Sequence, residues 1–204
     1  LIMVFNLYFS NELTNSYSLN NNYKIYKYSI KKNNDCNIET SFDIDFKKDG
    51  HKKTFGKTLI IGGDQDYLGS ILIAGTSALK TGNRYVEILT TENHSKQIQF
   101  NRPELIVRDS CTALDNSLDD YSCLLIGPGM SENEWSLSIF EKIIPILNNN
   151  ANNIPIVADA GFLNLLAEKT FSYKNWILTP HSGEAAKMLQ STVKSIQDNR
   201  ISSA

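Results

Sequence analysis

The segment LTPHSGE, residues 178–184, holds the residue type best suited to acid–base chemistry, His181. This histidine follows an apolar strand end and a proline, and it precedes Glu184, which begins a predicted helix. An imidazole at the carboxyl end of a strand can bind a substrate or move a proton, but a lone histidine is more often structural. The segment by itself leaves both interpretations open, so the neighbouring loops have to be considered.

Two glycine-containing segments also follow apolar runs. In GGDQDYLGS, residues 62–70, Ser70 falls on the first turn of the next predicted helix, where free amides can meet a phosphate or carboxylate. In GPGM, residues 127–130, Gly127 and Gly129 flank a proline and form a rigid corner with exposed backbone. Neither segment is a G-x-G-x-x-G or Walker A loop. A ligand contact and a plain turn remain open for both.

A fourth segment, VADAGFLN at 157–164, places Asp159 directly after an apolar run and Asn164 on the first turns of a predicted helix. The Asp159 carboxylate could orient a substrate hydroxyl or a metal-bound water, or it could cap the helix. The position just before a helix favours the cap.

The elements that must position these segments alternate between strands and helices. Five short, nearly continuous apolar runs predict parallel strands buried on both faces. They are TLIIG (58–62), YVEIL (85–89), CLLIG (123–127), IPIVA (154–158) and WILT (176–179). Apolar residues at helical spacing predict helices at 71–79 and 139–147. An α/β protein with helices on both faces of the sheet follows, and its loops at the carboxyl ends of the strands should meet.

The composition and charge argue against a nucleic-acid or membrane partner. The 204 residues are 41% hydrophobic and 21% charged, enough for one core, with a formal net charge of -2. Lysine and arginine are scattered, which argues against a nucleic-acid partner. The opening LIMVFNLYF lacks a basic leader and is too short for a membrane span, which predicts a cytoplasmic protein without a membrane partner.

Two further features concern the thiols and the N-terminal region. Cys36, Cys111 and Cys123 are odd in number and far apart, with no C-x-x-C pair, so we expect neither a disulfide framework nor a metal site. Residues 11–50 are rich in Asn, Lys, Ser and Tyr, with weak alternation only at YKIYKYSI (23–30). We interpret residues 1–50 as a tail or linker that contains at most a strand or two.

Six segments in chain order resemble those of a known family. They are HKKTFGKTLIIGGD, GSILIAGTSALKTG, RPELIV, IGPGM with a following EW, VADAGFLNLLA and ILTPHSGEAAKML. The set resembles the ADP-dependent NAD(P)H-hydrate dehydratase family of the ribokinase-like superfamily, often the C-terminal half of a bifunctional protein with an epimerase. The resemblance implies a three-layer α/β/α sandwich with a mostly parallel central sheet. It assigns residues 51–204 to a partial dehydratase domain and is compatible with residues 1–50 being a remnant of an epimerase half.

The resemblance also implies a reaction. Enzymes of this family return the 6S hydrate of NADH or NADPH to the dinucleotide and spend ADP or ATP, with Mg2+. The hydroxyl of the hydrate is phosphorylated and leaves as phosphate, expelled by the lone pair of the ring nitrogen. By position, the substrate-binding residues would be Ser70, Gly127, Gly129 and His181, supported by Asp159, Asn164 and Glu184. The choice between ADP and ATP, the preferred hydrate and a homo-oligomeric state stay open.

The catalytic aspartate of the family has no match in this chain. It belongs to a Gly-x-Gly-Asp helix start that follows a Lys-Gly-x-x-Thr strand end, and both would lie beyond Ala204. We therefore expect a domain that is truncated at the C-terminus, incomplete in its sheet, and inactive by itself. Two other functions stay open: a ribokinase-like kinase of a small alcohol or vitamin precursor, and a non-catalytic remnant.

Several residues depart from the family pattern. Ser70 replaces an alanine, Ser131 the last glycine of Gly-Pro-Gly-x-Gly, Gly161 the second acid of Asp-Ala-Asp, and Ser182 the second proline of Thr-Pro-His-Pro-Gly-Glu. Gly161 removes a carboxylate from the expected pocket, which puts the affinity for the hydrate in question.

Overall fold

The structure is a computed structural model that describes residues 56–109, 114, 118–149, 154–169, 171, 173 and 175–203. The predicted linker at 1–50, the first five residues of the HKKTFGK motif, Cys36 and Cys111 lie outside the described residues. Cys123 is a free thiol whose sulfur lies 3.1 Å from the Thr58 hydroxyl.

Six strands form one sheet. They are β1 (Thr58–Ile61), β2 (Val86–Thr90), β3 (Ile106–Asp109), β4 (Cys123–Ile126), β5 (Ile156–Ala158) and β6 (Trp176–Leu178). Their order across the sheet is β3-β2-β1-β4-β5-β6, and every neighbouring pair is parallel. All residues of β1 and β2 are buried, as the continuous apolar runs predict for strands covered on both faces.

Helices connect and flank these strands. They are α1 (Leu68–Lys80), α2 (Glu92–Asn101), α3 (Glu134–Asn148), α4 (Ala160–Glu168), α5 (Ser182–Met188), α6 (Val193–Asp198) and α7 (Arg200–Ser203). Within the described part of the chain, no helix combines the length and the apolar character needed to cross a bilayer.

The helices cover both faces of the sheet. Ile71 of α1 packs with Ile60 of β1 in one buried cluster, which α2 joins. Ile143 of α3 packs in a second cluster with Ile61, on the opposite face of the same strand, and α4 joins it there. The predicted three-layer α/β/α sandwich is confirmed. Since the chain leaves β1 toward β2 and leaves β4 toward β5, β1 and β4 flank the topological switch point, where open α/β sheets bind ligands.

The sequence does not predict β3 and α2. The edge strand β3 reads IVRD, so its apolar run is only two residues long. The helix α2 reads ENHSKQIQFN and buries only His94 and Ile98. An edge strand and a helix beside it bury less surface than the centre of the sheet, so their hydrophobic periodicity is weak.

One carboxylate is buried inside the sheet. Glu87, the second residue of β2, is 1% exposed. It pairs with Lys57 at 2.8 Å and Arg108 at 2.7 Å, and the Tyr121 hydroxyl donates a 2.8 Å hydrogen bond to it. A buried charge is tolerated when it is paired in this way. The network lies toward the amino end of β2, away from the loops that follow the strands.

Candidate functional site

Backbone hydrogen bonds join the loops that follow β1 and β4, on either side of the switch point. The Gly63 amide donates to the Pro128 carbonyl at 2.8 Å, and the Asp64 amide donates to the Gly129 carbonyl at 2.7 Å. The GGDQDYLGS and GPGM segments therefore meet, as their positions at the ends of neighbouring strands predict.

The GPGM corner packs too closely for a side chain at either glycine. An ideal Cβ at Gly127, where φ is 120°, would lie 1.7 Å from the Asp159 carbonyl oxygen. One at Gly129, where φ is 66°, would lie 2.7 Å from Tyr67 Cβ and 3.0 Å from Ser70 Cβ. Both conformations favour glycine. The corner thus brings together four predicted residues, Gly127 with Asp159 and Gly129 with Ser70.

Ser70 and Asn164 occupy helical positions that agree with the sequence-based placement. Ser70 is the third residue of α1, half-buried, and its amide donates to the Tyr67 carbonyl at 3.1 Å. Asn164 is the fifth residue of α4 and is also half-buried. The helix that carries Asn164 packs against α5, the helix that begins after His181.

The prediction that the Asp159 side chain caps α4 is wrong. Asp159 is the residue before α4, but its carboxylate makes no capping hydrogen bond. Its Oδ1 instead accepts a 2.7 Å hydrogen bond from the Thr179 hydroxyl, and the Thr179 amide donates to the Ala158 carbonyl at 3.1 Å. The carboxylate therefore ties the loop after β5 to the loop after β6, two residues before His181.

His181 and Glu184 form a reciprocal cap at the start of α5. The imidazole Nδ1 accepts from the Gly183 amide at 2.9 Å and the Glu184 amide at 3.3 Å. In return, Glu184 Oε2 accepts from the His181 amide at 2.9 Å, and its Oε1 lies 3.2 Å from His181 Nε2. Because Nδ1 is an acceptor, the proton of the neutral ring sits on Nε2. These contacts are those of a structural histidine that caps a helix. The imidazole is nevertheless 73% exposed.

A lysine connects this cap to the other loops. Lys187 of α5 binds Glu132, in the loop after β4, at 2.9 Å and Glu168, at the end of α4, at 3.0 Å. Hydrogen bonds to these two carboxylates raise the pKa of Lys187 above its usual range. Elsewhere, burial raises the pKa of Tyr173, whose hydroxyl donates to the Ile154 carbonyl at 2.9 Å.

Asp64 is a site residue that the sequence reasoning missed. Its side chain is 4% exposed and accepts hydrogen bonds from the Ser131 hydroxyl and the Asn133 side-chain amide, and from the Gln65 amide at 2.6 Å. An acid placed directly after Gly-Gly at a strand end is the signal that could have indicated it. The buried His94 was missed as well, and its Nδ1 lies 3.0 Å from the Gly63 carbonyl oxygen.

An open cleft of about 410 Å³ lies beside Asp64. Its lining residues are Asp64, Gln65, Thr91, Asn93, Asn133, Glu134 and Trp135. None of the seven predicted substrate residues lines it. Six of those residues form two groups: Ser70, Gly127, Gly129 and Asp159 meet at the corner, and His181 with Glu184 forms the cap of α5. Asn164 lies on α4, the helix that packs against α5. Within the described residues no three His, Cys, Asp or Glu side chains are grouped to hold a metal ion.

The chain is similar in sequence to known proteins and in fold to solved structures. The chain is 33% identical over 156 residues to the bifunctional NAD(P)H-hydrate repair enzyme Nnr of Coxiella burnetii, and the match covers 76% of this chain and 31% of the relative. It is 35% identical over 152 residues to the same enzyme of Escherichia coli, covering 74% and 28%. The crystal structure of the ADP/ATP-dependent NAD(P)H-hydrate dehydratase of Bacillus subtilis, co-crystallised with ATP and Mg2+, matches with a TM-score of 0.64 at 30% identity.

The match covers part of each of these proteins. It takes in 76% of this chain and 55% of the Bacillus chain, and the chain spans about a third of the length of the bifunctional relatives. The family model described as NAD(P)H-hydrate dehydratase matches residues 58–204, which include the whole described sheet and all four loops of the site. By that match and by its fold, the chain belongs to the NAD(P)H-hydrate dehydratase family.

Proposed function

We propose that residues 58–203 form the hydrate-binding part of an enzyme that dehydrates hydrated NADH or NADPH. The observation that carries this proposal is the meeting of Ser70, Gly127, Gly129 and Asp159 at the switch point of a sheet that belongs to the dehydratase family. Open α/β sheets bind their ligands at this place. In the proposed reaction, the hydroxyl of the hydrate receives a phosphoryl group and leaves as phosphate, with the ring nitrogen supplying the electron pair.

The corner offers complementary groups for such a ligand. Gly129 brings backbone close to Ser70, whose hydroxyl can donate or accept a hydrogen bond. Asp159 holds Oδ1 on the Thr179 hydroxyl, and among the described residues no hydrogen bond occupies its Oδ2. That second oxygen can accept from a substrate hydroxyl, which is the role we assign to it.

We assign His181 a substrate contact that does not disturb its cap. The ring uses Nδ1 for the backbone of α5, and its Nε2 lies 3.2 Å from Glu184 Oε1, so the exposed ring face is the part left for a substrate contact. Glu184, whose side chain is 10% exposed, holds the ring in this orientation. Asn164, on the helix that packs against α5, is assigned a supporting role.

The nucleotide site is not among these residues. The sequence contains neither a Lys-Gly-x-x-Thr nor a Gly-x-Gly-Asp segment, and the described side chains do not fit a metal ion. We therefore propose that this 204-residue polypeptide binds the hydrate without converting it. Phosphoryl transfer depends almost wholly on the positioning and charge stabilisation of the phosphates. A polypeptide without the two segments that supply these functions should not carry out the reaction.

The protein of which this domain is a part is proposed to use ADP, or ATP, with Mg2+. A fused epimerase is proposed for it because the relatives are bifunctional repair enzymes. A cytoplasmic location is proposed as well.

Calorimetric titration of the chain with the 6S hydrate of NADPH tests the proposal, with NADPH itself as the matched ligand. We expect the hydrate to bind and NADPH to bind more weakly. A second assay follows the absorbance of the reduced nicotinamide with ADP and Mg2+ added, with the Bacillus subtilis dehydratase as positive control. Absence of hydrate binding contradicts the binding role, and recovery of absorbance by the chain alone contradicts its proposed inactivity. Phosphorylation of a vitamin alcohol would favour the kinase alternative.

A further inference from the structure

Asp64 forms hydrogen bonds to three residues of the loop that follows β4. Its amide donates to the Gly129 carbonyl at 2.7 Å, and its carboxylate accepts from Ser131 and Asn133 farther along the same loop. The main chain and side chain of one residue thus hold the loop at three points. We call Asp64, Ser131 and Asn133 the clasp.

The clasp is connected to Ser70 through the main chain. The Asp64 carbonyl accepts from the Tyr67 amide at 2.8 Å, and the Tyr67 carbonyl accepts from the Ser70 amide at 3.1 Å. Gly129 lies against the same Tyr67 and Ser70 side chains. Asp64 therefore binds Gly129 directly, and it is connected to Ser70 through Tyr67.

The carboxylate is suited to this task because it is buried and fully engaged. At 4% exposure, an ionised carboxyl group needs donors in place of water, and here it has the Gln65 amide besides Ser131 and Asn133. Hydrogen bonds to an ionised acceptor are about twice as strong as neutral ones. Removing the acceptor would leave the buried donors of the clasp without a partner.

Ser131 supplies one of the side-chain donors of the clasp. Its hydroxyl donates to Asp64 Oδ2 and so adds a bond across the switch point, beside the proposed hydrate contacts.

We propose that Asp64 is a positioning residue, which through the clasp holds Gly129 against Ser70 in the geometry that the hydrate requires. This inference rests on the proposed function, and it assigns Asp64 no contact with the substrate. If the acceptor at position 64 is removed, the affinity for the hydrate should therefore fall by more than the accompanying loss of chain stability explains.

The test uses Asp64→Asn in the full chain, which keeps the size of the side chain but replaces one acceptor oxygen with a donor. The matched control is Glu87→Gln, another buried and paired acid, placed toward the amino end of β2. Titration with the 6S hydrate of NADPH should show about tenfold weaker binding for Asp64→Asn, since hydrogen bonds to a charged group are at stake, and unchanged binding for Glu87→Gln. Equal loss in both variants, or no loss in Asp64→Asn, overturns the proposal.

If Asp64→Asn does not fold, two variants of Ser131 test the clasp with a smaller change. Ser131→Ala removes one donor and Ser131→Thr retains it, so binding should weaken in the first variant and stay close to wild type in the second. Equal binding by both variants contradicts the clasp.

Amide hydrogen exchange separates failure of the clasp from failure of the proposed function. If the wild-type chain does not bind the hydrate, the proposed function fails. Faster exchange at the Gly63 and Asp64 amides in Ser131→Ala than in Ser131→Thr then still supports the clasp as a link between the loops, and equal exchange overturns it.

Discussion

Gly127 lies directly against Asp159, so that a Cβ added to the glycine would meet the Asp159 carbonyl oxygen at 1.7 Å. This approach is what allows the loops after β4 and β5 to share one corner, with the Asp159 amide bonded to the Ile126 carbonyl at 2.9 Å. The glycine is required by packing and by its φ of 120°, independently of any ligand.

Replacing Gly127 with alanine should therefore destabilise the chain severely. The new methyl group meets main-chain atoms that cannot rotate away, and the backbone conformation is unfavourable for alanine, so we expect a loss of about 3 kcal/mol or more in the free energy of unfolding. Urea titration measures it.

Gly69→Ala is the matched control for that experiment. Gly69 lies in α1, and no atom stands within 4 Å of a Cβ added there. We expect stability to be unchanged or raised by about 0.5 kcal/mol, because alanine loses less conformational entropy in a helix. Similar losses in both variants would mean that the close contact at Gly127 is not the cause.

The central sheet is predictable from the sequence because its signal is local. The runs TLII and VEILT are buried along their whole length, as nearly continuous hydrophobicity over four or five residues predicts for strands covered on both faces. The edge strand IVRD lacks that signal, since a strand with one neighbour tolerates charged residues.

The site is less predictable because its contacts join distant parts of the chain. Asp159 looks like a helix cap in sequence, but its partner is Thr179, twenty positions away. Asp64 looks like part of a glycine-rich turn, and its donors Ser131 and Asn133 are 67 and 69 positions away. Local sequence patterns do not encode such tertiary partners.

Substitution of His181 should separate its role in the helix cap from its proposed role in binding. His181→Asn keeps an acceptor at the cap position, so the free energy of unfolding should stay within about 0.5 kcal/mol of wild type. Affinity for the 6S hydrate of NADPH should fall, because the imidazole is lost. Calorimetric titration and urea unfolding of the same preparation provide the two measurements.

His181→Ala is the companion variant. It removes both functions of the side chain, so about 1 kcal/mol of stability should be lost together with the hydrate affinity. If His181→Asn binds the hydrate as wild type does, His181 is a structural residue only and the assignment of a substrate contact is wrong.

Lys187 should contribute stability that depends on pH in the alkaline range. Its pKa is raised by Glu132 and Glu168, so the folded chain holds this proton more tightly than the unfolded one. The contribution is full below the unfolded value of 10.5 and is lost as pH rises through the folded pKa. Because the side chain is 37% exposed, Lys187→Gln should cost only about 0–1 kcal/mol at neutral pH.

The measurement is urea unfolding of wild type and Lys187→Gln at neutral pH and above 10.5. The difference between them should shrink at the higher pH, and also in high salt, where exposed ion pairs are screened. Tyr173, whose raised pKa acts in the same direction, is present in both proteins and cancels. A difference that stays constant across this range would contradict the ion-pair explanation.

Introducing at position 161 the acid that the sequence resemblance implies should not improve hydrate binding in this chain. An ideal Cβ at Gly161 would lie 2.2 Å from the Met130 carbonyl oxygen, in the loop that carries Gly129. Gly161→Asp should therefore displace that loop, lower the free energy of unfolding by about 1–3 kcal/mol and weaken binding of the 6S hydrate of NADPH. Gly161→Ala adds the same Cβ without the carboxylate, so equal losses in the two variants identify steric displacement as the cause. Tighter binding by Gly161→Asp, with stability retained, would instead show that the loop can yield and that the missing carboxylate limits affinity.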